Sequence, residues 1–366
     1  MRRRGSRGAI IAVLLLGLLI FGAVYFAWNT ASAIFEPVDP AGPGKTVRVV
    51  IQSGESTQQI ADQLQTDGLI RNALAFRIWA RIKGLDTHLQ AGVYTNLNSS
   101  MTISDIIDSL LNGQPNEYIV RIPDGWRIQQ IANQLATQGL AKFDKQQFLQ
   151  YTLHPSQFPD AAKYPILKSI PSGDSMEGLL FPDTYYIPVD ADAREVVNQM
   201  LTEFTNVVKQ NHLDTQAQAH HLTTYQMVIL ASLVEREVVF SQDLPGVASV
   251  YWNRVNRPND ETVGFLDSDP SVMYARDSQP GTTVFWKNLT DIGDNIAPNS
   301  PWNTYTHKGW PPTPICSPSL ASMKAAAAAP DPRYSKDYFF LGKKDGHIVF
   351  AATKAEFDQD VQKYLH

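Results

Sequence analysis

The chain has a single cysteine, Cys316, in 366 residues. That excludes an internal disulfide and a thiolate cage for a metal. Positive charge is not in excess either: Lys and Arg number 31 against 36 Asp and Glu, for a net charge of −5. Four arginines (Arg2, Arg3, Arg4, Arg7) lie in the first seven residues, so the remainder carries about −9. A body of that sign is a poor match for a polyanion, which excludes nucleic acid as the expected partner. The eight histidines, including His220, His221, His307 and His347, show no ligand spacing, and neither do the acids of "DETVGFLDSD" (260–269). No metal and no cofactor is expected. Bulk disorder is excluded by 43% hydrophobic and 18% charged residues. Long apolar runs are scarce too, and only one reaches bilayer length.

That run follows "MRRRGSR" (1–7). From Gly8 to Trp28, "GAIIAVLLLGLLIFGAVYFAW", 21 residues carry no charge. As a helix they would measure about 31 Å, one bilayer core. Tyr25 and Trp28 stand near the far end, where amphipathic aromatics favour the interface, and the arginine cluster should stay in the cytoplasm. The expectation is a single-pass protein of the cell (inner or cytoplasmic) membrane whose remaining chain is extracytoplasmic. The rival is a cleaved signal peptide, with "ASA" at 31–33 as its cleavage site. Signal cores usually span about 7–15 residues, so the length favours a retained anchor. Residues 29–46, with "EPVDPAGPGK" at 36–45, read as a flexible linker.

An internal repeat follows. "VVIQSGESTQQIADQLQTDGLI" (49–70) aligns with "VRIPDGWRIQQIANQLATQGLA" (120–141) at a constant offset of 71, matching Gly54 to Gly125, Ile60 to Ile131, Leu64 to Leu135 and Gly68 to Gly139. Each copy predicts a short strand, a glycine turn, a helix and a terminal glycine. Further on, "TISDIIDSLLNG" (102–113) predicts another helix. "EGLLFPDTYYIPVDADAREVVNQML" (177–201) predicts a compact cluster and then a helix. Within it Asp183, Tyr185 and Tyr186 either line a site or belong to a packed turn whose bend Pro182 sets.

The stretch "ILASLVEREVVF" (229–240) places two carboxylates, Glu235 and Glu237, in an otherwise apolar segment. Thr223 and Gln226 have capping-box spacing, so a helix is expected from about Thr224 to Val239. Apolar residues nearly encircle it, which predicts burial, and the apolar continuation argues against a solvated helix end. A carboxyl in a partly apolar pocket has its pKa raised, as a general acid requires. Two residues apart on a helix is roughly 200°, so the two glutamates cannot face one sugar together as an ordinary glycosidase pair. A one-carboxylate mechanism suits peptidoglycan, where the C6 hydroxyl of muramic acid can attack its own anomeric carbon to give a 1,6-anhydro sugar. Local reasoning does not choose between Glu235 and Glu237.

"LASLVEREV" (230–238) resembles the signature of the endolytic murein transglycosylases, the MltG/YceG-like family. "EGLLFPDTYYIP", "ASVYWNRV" (248–255), "LDSDPSVMYA" (266–275), "SPWNTYTHKGWPPTPICSPS" (300–319), "SMKAAAAAPDPRYSKDYFFL" (322–341) and "DGHIVFAAT" (345–353) follow that family's order. "IQSGESTQQIADQL" (51–64) resembles the LysM module, which binds N-acetylglucosamine-containing glycans. The resemblance implies a lyase that cuts glycan strands internally beside the membrane, near the peptidoglycan synthases that extend them. It makes Glu237 the catalytic acid, with Glu235, Ser232, Asp269, Asn303, Thr304 and Tyr305 supporting it or binding substrate. "GWPPT" (309–313) and "SPS" (317–319) depart from the family, which has glycines there. The expected turn is therefore altered, since threonine and serine avoid positive φ.

The fold expected is α+β: basic tail 1–7, transmembrane helix 8–28, linker 29–46, LysM-like domain 47–115, second repeat-like segment with connector 116–172, and transglycosylase domain 173–366. The second repeat is expected to act mainly as a spacer. A non-catalytic glycan-binding scaffold for wall synthases and a hydrolytic muramidase are the competing functions.

Overall fold

The computed structural model describes residues 17–18, 34–52, 54–84, 91–112, 116–279, 281–289 and 299–365. The expected membrane helix at 8–28 lies, apart from Gly17 and Leu18, outside them. Among the described residues no helix is long and apolar enough to cross a membrane. The chain is mixed α and β, as expected, and divides into two units, Met1–Ile119 with Tyr186–Val189, and Val120–Tyr185 with Asp190–His366.

Unit 1 runs β1 (Val49–Ile51), α1 (Thr57–Thr66), α2 (Ala73–Ile82), β2 (Gly92–Tyr94) and α3 (Ile103–Asn112). Helix α1 starts where Ser56 and Gln59 close a reciprocal capping box, and it buries Ile60, Ala61 and Leu64. Strands β1 and β2 pair antiparallel, Val49 opposite Tyr94 and Ile51 opposite Gly92. The sheet order is β1-β2-β3-β4, with β3 (Glu117–Arg121) and β4 (Thr184–Pro188) carrying the chain from one unit to the other. Val49, Ile51, Leu64, Phe76, Tyr94, Leu97 and Ile106 form the core.

Part of the linker is not free chain. Asp39 N–H donates to the Ser99 carbonyl at 2.9 Å and Lys45 N–H to Ser99 Oγ at 2.7 Å. Arg71 Nε donates to the Pro37 carbonyl at 2.8 Å, and Ile34 and Phe35 pack on the unit 1 core. The prolines remove backbone donors, and side chains such as Ser99 and Arg71 take up the hydrogen bonding that would otherwise go to water.

Unit 2 continues with α4 (Ile128–Ala136), α5 (Lys145–Leu153), three short 3₁₀ turns, then α6 (Ala193–Gln210), α7 (Leu213–Ala219), α8 (Thr224–Glu237), α9 (Leu244–Asn256), α10 (Asp269–Asp277), α11 (Leu320–Ala327), the hairpin β5 (Phe339–Gly342) with β6 (Ile348–Ala351), and α12 (Lys354–Tyr364). Helix α8 is its centre and packs on α7, α9, α10 and α11. Met227, Val228, Ile229, Leu230, Leu233 and Val234 are each at most 3% exposed. Every such side chain contributes roughly 1.5–3 kcal/mol of transfer free energy, so burial rather than helix propensity holds α8.

The repeat is one supersecondary shape used twice. Gly54 and Gly68 have φ of 85° and 74°, and their partners Gly125 and Gly139 have 72° and 77°. The second copy lies inside unit 2. Within unit 2 its turn is tied to a loop near the α8 end by Gly125 N–H to the Ser317 carbonyl and Ser317 N–H to the Trp126 carbonyl, both 2.8 Å. A side chain at Gly125 would come within 3.1 Å of Arg236 Nη1.

Candidate active site

Helix α8 begins with the expected capping box, Gln226 N–H donating to Thr223 Oγ1 at 3.1 Å and Thr223 N–H to Gln226 Oε1 at 2.9 Å. It ends two residues earlier than expected. Val238 is already extended (φ −111°, ψ 131°), which makes Glu237 the last helical residue. The apolar continuation is not buried as expected: Val239 is 74% exposed and Phe240 39%. Phe240 instead stacks on the His347 ring, with centroids 4.4 Å apart.

The two glutamates diverge, as their helical spacing requires. Glu235 Oε2 accepts from Ser319 N–H (3.0 Å), Ser319 Oγ (2.6 Å) and Ser322 Oγ (2.6 Å). It therefore anchors the N-terminus of α11, where Ser319 is also the cap. Glu237 points elsewhere. Its Oε1 accepts from Tyr251 Oη at 2.5 Å and Ser268 Oγ at 3.1 Å, while Oε2 accepts no described hydrogen bond. Burial pushes the Glu237 carboxyl from its ordinary 4.5 up to about 7. The two hydrogen bonds and the Arg254 charge pull the other way, and the neighbouring Asp269 charge adds to the rise.

Tertiary contacts bring Ser268 to Glu237. Thr304 is 1% exposed and holds the 267–271 segment. Its Oγ1 accepts from Ser268 N–H at 2.9 Å and shares a hydrogen with Ser271 Oγ at 2.8 Å, and its carbonyl accepts from Asp267 N–H at 3.3 Å. Buried Arg254 fixes the same segment from α9, its Nη1 donating to the Leu266 carbonyl at 2.6 Å and pairing with Asp267 Oδ2 at 3.2 Å. Tyr305 Oη donates to Asp269 Oδ1 at 2.7 Å, so Asp269, exposed at the first turn of α10, is oriented from the neighbouring loop.

Other anticipated residues do structural work. Asn303 is fully buried, and its Oδ1 accepts from Tyr305 N–H at 3.1 Å. Ser232 Oγ donates to the Ile229 carbonyl (2.8 Å) and accepts from Ile315 N–H (3.0 Å), seating the 313–317 loop on α8. Cys316 is buried beside it, with its thiol on the Ser232 carbonyl at 3.4 Å. Thr313, Ser317 and Ser319 are not among the positive-φ residues, and Thr313 Oγ1 accepts from Trp302 Nε1 at 2.9 Å. "FPDTYY" leads into β4 and is not a turn: Asp183 is exposed at a bend and accepts from Thr184 N–H, while Tyr185, within the strand, is buried and donates to the Phe181 carbonyl at 2.5 Å.

A second carboxyl raised to about 7 escaped the sequence reading. Glu177 is 1% exposed, and burial pushes it up to about 7 against the pull of Arg127 and two backbone N–H groups. Its Oε1 accepts from Ile128 N–H at 3.1 Å. Arg127 is itself fully buried, with its guanidinium 4.2 Å from the Tyr274 ring centroid. Gly178, at φ 80°, follows Glu177 where a Cβ would lie 2.4 Å from Pro314. Glu177 opens one stretch quoted above and Tyr251 sits within another; for Tyr251 a polar hydroxyl in a largely apolar helix was the available signal, and Glu177, near the polar residues 172–175, carried none. Among the described residues no group of three or more His, Cys, Asp or Glu side chains could hold a metal ion.

Comparison with known proteins is decisive for the family. The model of the YceG-like family matches residues 49–363, nearly all of the described chain. The chain belongs to the YceG-like family. Among its relatives, the endolytic murein transglycosylase of Streptococcus pneumoniae (strain D39) is 28% identical over 376 residues, covering 98% of this chain and 65% of that protein. The chain thus spans about two thirds of that relative's length, slightly less at 65%. The endolytic murein transglycosylase of Bacillus subtilis (strain 168) is 29% identical over 359 residues, covering 95% and 91%. A crystal structure of a yceG-like protein from Listeria monocytogenes superposes with a TM-score of 0.58 at 26% identity, covering 86% of this chain and 98% of that one.

Proposed function

We propose that this chain is an endolytic lytic transglycosylase, a lyase that cuts the β-1,4 bond between N-acetylmuramic acid and N-acetylglucosamine inside peptidoglycan strands and leaves 1,6-anhydro ends. One observation carries the reading: Glu237 is held on Oε1 by two donors, has Oε2 open, and has its carboxyl raised to about 7. Near neutral pH a large share of such a carboxyl is protonated, with Oε2 the atom able to pass the proton on. The proton goes to the bridging O4 as the C1–O4 bond breaks. The resulting carboxylate then takes the proton of the C6 hydroxyl as O6 closes on C1. Glu237 ends as it began, and no water is consumed. Tyr251 and Ser268 support the carboxylate form, and Asp269 is the nearby negative charge for an electron-poor C1. The names of the pneumococcal and Bacillus relatives support the same reaction class.

The sequence of the N-terminal run supports a single-pass anchor with the arginines in the cytoplasm and both units outside, and membrane-proximal cutting of new strands near their synthases follows from it. The LysM-like stretch of unit 1 supports a part in glycan capture. Product mass tests the central claim. Full-length protein incubated with glycan strands should release fragments about one water lighter than hydrolytic products. Products at the hydrolysed mass would assign a muramidase, with Asp269 as the candidate base, and no product at all would assign a scaffold.

A further inference from the structure

Helix α2 turns an apolar and basic face to solvent. At 100° per residue, Arg77, Arg81, Leu74, Ile78 and Ile82 fill one unbroken arc of about 140°. Leu74 is 59% exposed, Ile78 45% and Ile82 69%, whereas Ala75, Phe76 and Ala80 on the other side are fully buried. From Arg71 to Gly84 the chain has four basic residues, Arg71, Arg77, Arg81 and Lys83, and no acidic one. The face forms a wall of a shallow groove of about 390 Å³, completed by Ser56, Thr57 and Gln58 at the start of α1. A protein with a net charge of −5 that gathers these charges beside exposed aliphatics has built a surface for a partner.

We propose that this face docks on an anionic lipid surface and holds unit 1 flat against the membrane. The inference rests on the anchor reading. Exposed aliphatics flanked by arginines are the composition of helices that lie in the lipid interface. The tether points the same way. Phe35 and Trp79 of α2 have ring centroids 6.0 Å apart, and Arg71, just before α2, binds the Pro37 carbonyl through Nε (2.8 Å) and the Val38 carbonyl through Nη2 (3.3 Å). The chain is therefore fixed beside α2 from Ile34 onward, only six Cα steps after Trp28. Six extended steps span about 20 Å at most. A sugar strand fits this face less well, because the arc offers aliphatics and cations and no exposed aromatic ring or carboxylate to take sugar faces and hydroxyls.

The test uses the full-length chain in lipid nanodiscs, with Ile82→Cys carrying an environment-sensitive fluorophore. Cys316 is the sole native cysteine and is buried, so the new thiol is labelled selectively. The label should be quenched by lipid-borne quenchers in discs containing anionic lipid and much less so in zwitterionic discs or high salt. Arg77→Gln should lower the docked-to-free ratio by about fivefold. A chain that co-elutes with the discs but whose label is unquenched overturns docking alone, as does quenching indifferent to lipid charge. A chain that elutes apart from the discs overturns the anchor reading and docking with it. An unquenched label that responds to purified glycan strands instead assigns the face to glycan.

Discussion

Replacing Glu237 with Gln should stabilise the protein at neutral pH while stopping catalysis. The carboxyl titrates near its ordinary 4.5 in the unfolded chain and at about 7 in the folded one. Below 4.5 both states carry the proton and the group is neutral to stability. Between 4.5 and 7 the unfolded chain has released its proton and the folded chain has not, so stability falls as pH rises, then levels off above 7. A rise of that size corresponds to at most about 3 kcal/mol. Glu237 is half-buried, and solvent screening reduces the expected effect to about 1–2 kcal/mol. Glutamine keeps an oxygen for Tyr251 Oη and Ser268 Oγ but carries no charge to bury. Unfolding should therefore show Glu237→Gln melting roughly 2–8 °C above the native protein at pH 8 and level with it at pH 4. Turnover of glycan strands should fall by about 100- to 10,000-fold. A variant that melts at or below the native temperature at pH 8 refutes the burial argument, and one that still cuts at the native rate refutes the assignment of the acid.

Other perturbations separate the roles. The rate of glycan cleavage at low substrate should fall about tenfold per pH unit above about 7, as Glu237 loses its proton. Ser268→Ala removes a donor that favours the carboxylate, so this limb should move to higher pH; a limb that stays put or moves down contradicts the assignment. Glu235→Ala leaves Ser319 N–H, Ser319 Oγ and Ser322 Oγ without their acceptor and should cost about 2–3 kcal/mol in denaturant unfolding, with the pH limb unmoved. Gly178→Ala puts a Cβ 2.4 Å from Pro314 at a φ of 80° and should destabilise by about 2 kcal/mol or more, while alanine at Gly54, which has open space, should cost less.

The buried helix α8, its capping box and the divergence of its two glutamates were legible in the sequence, because helical period and cap chemistry are local. The same locality made the 22-residue repeat readable, including its turn and terminal glycines, which have positive φ in each copy. The family resemblance singled out Glu237, which local reasoning could not separate from Glu235. What those glutamates touch was a different matter. Ser319 lies 84 residues from Glu235, Ser268 lies 31 from Glu237, and Thr304 lies 36 beyond Ser268. No periodicity spans such distances, so only packing of α8 against α9, α10 and α11 could show that one carboxylate caps a helix and the other keeps an oxygen open. Packing also decided that Asn303 Oδ1 is taken by the Tyr305 N–H, that Glu177 is, like Glu237, a carboxyl raised to about 7, and that the proline-rich stretch before β1 is held in place. A sequence records which side chains can bury, bond or ionise; which of them meet depends on how distant segments share one interior.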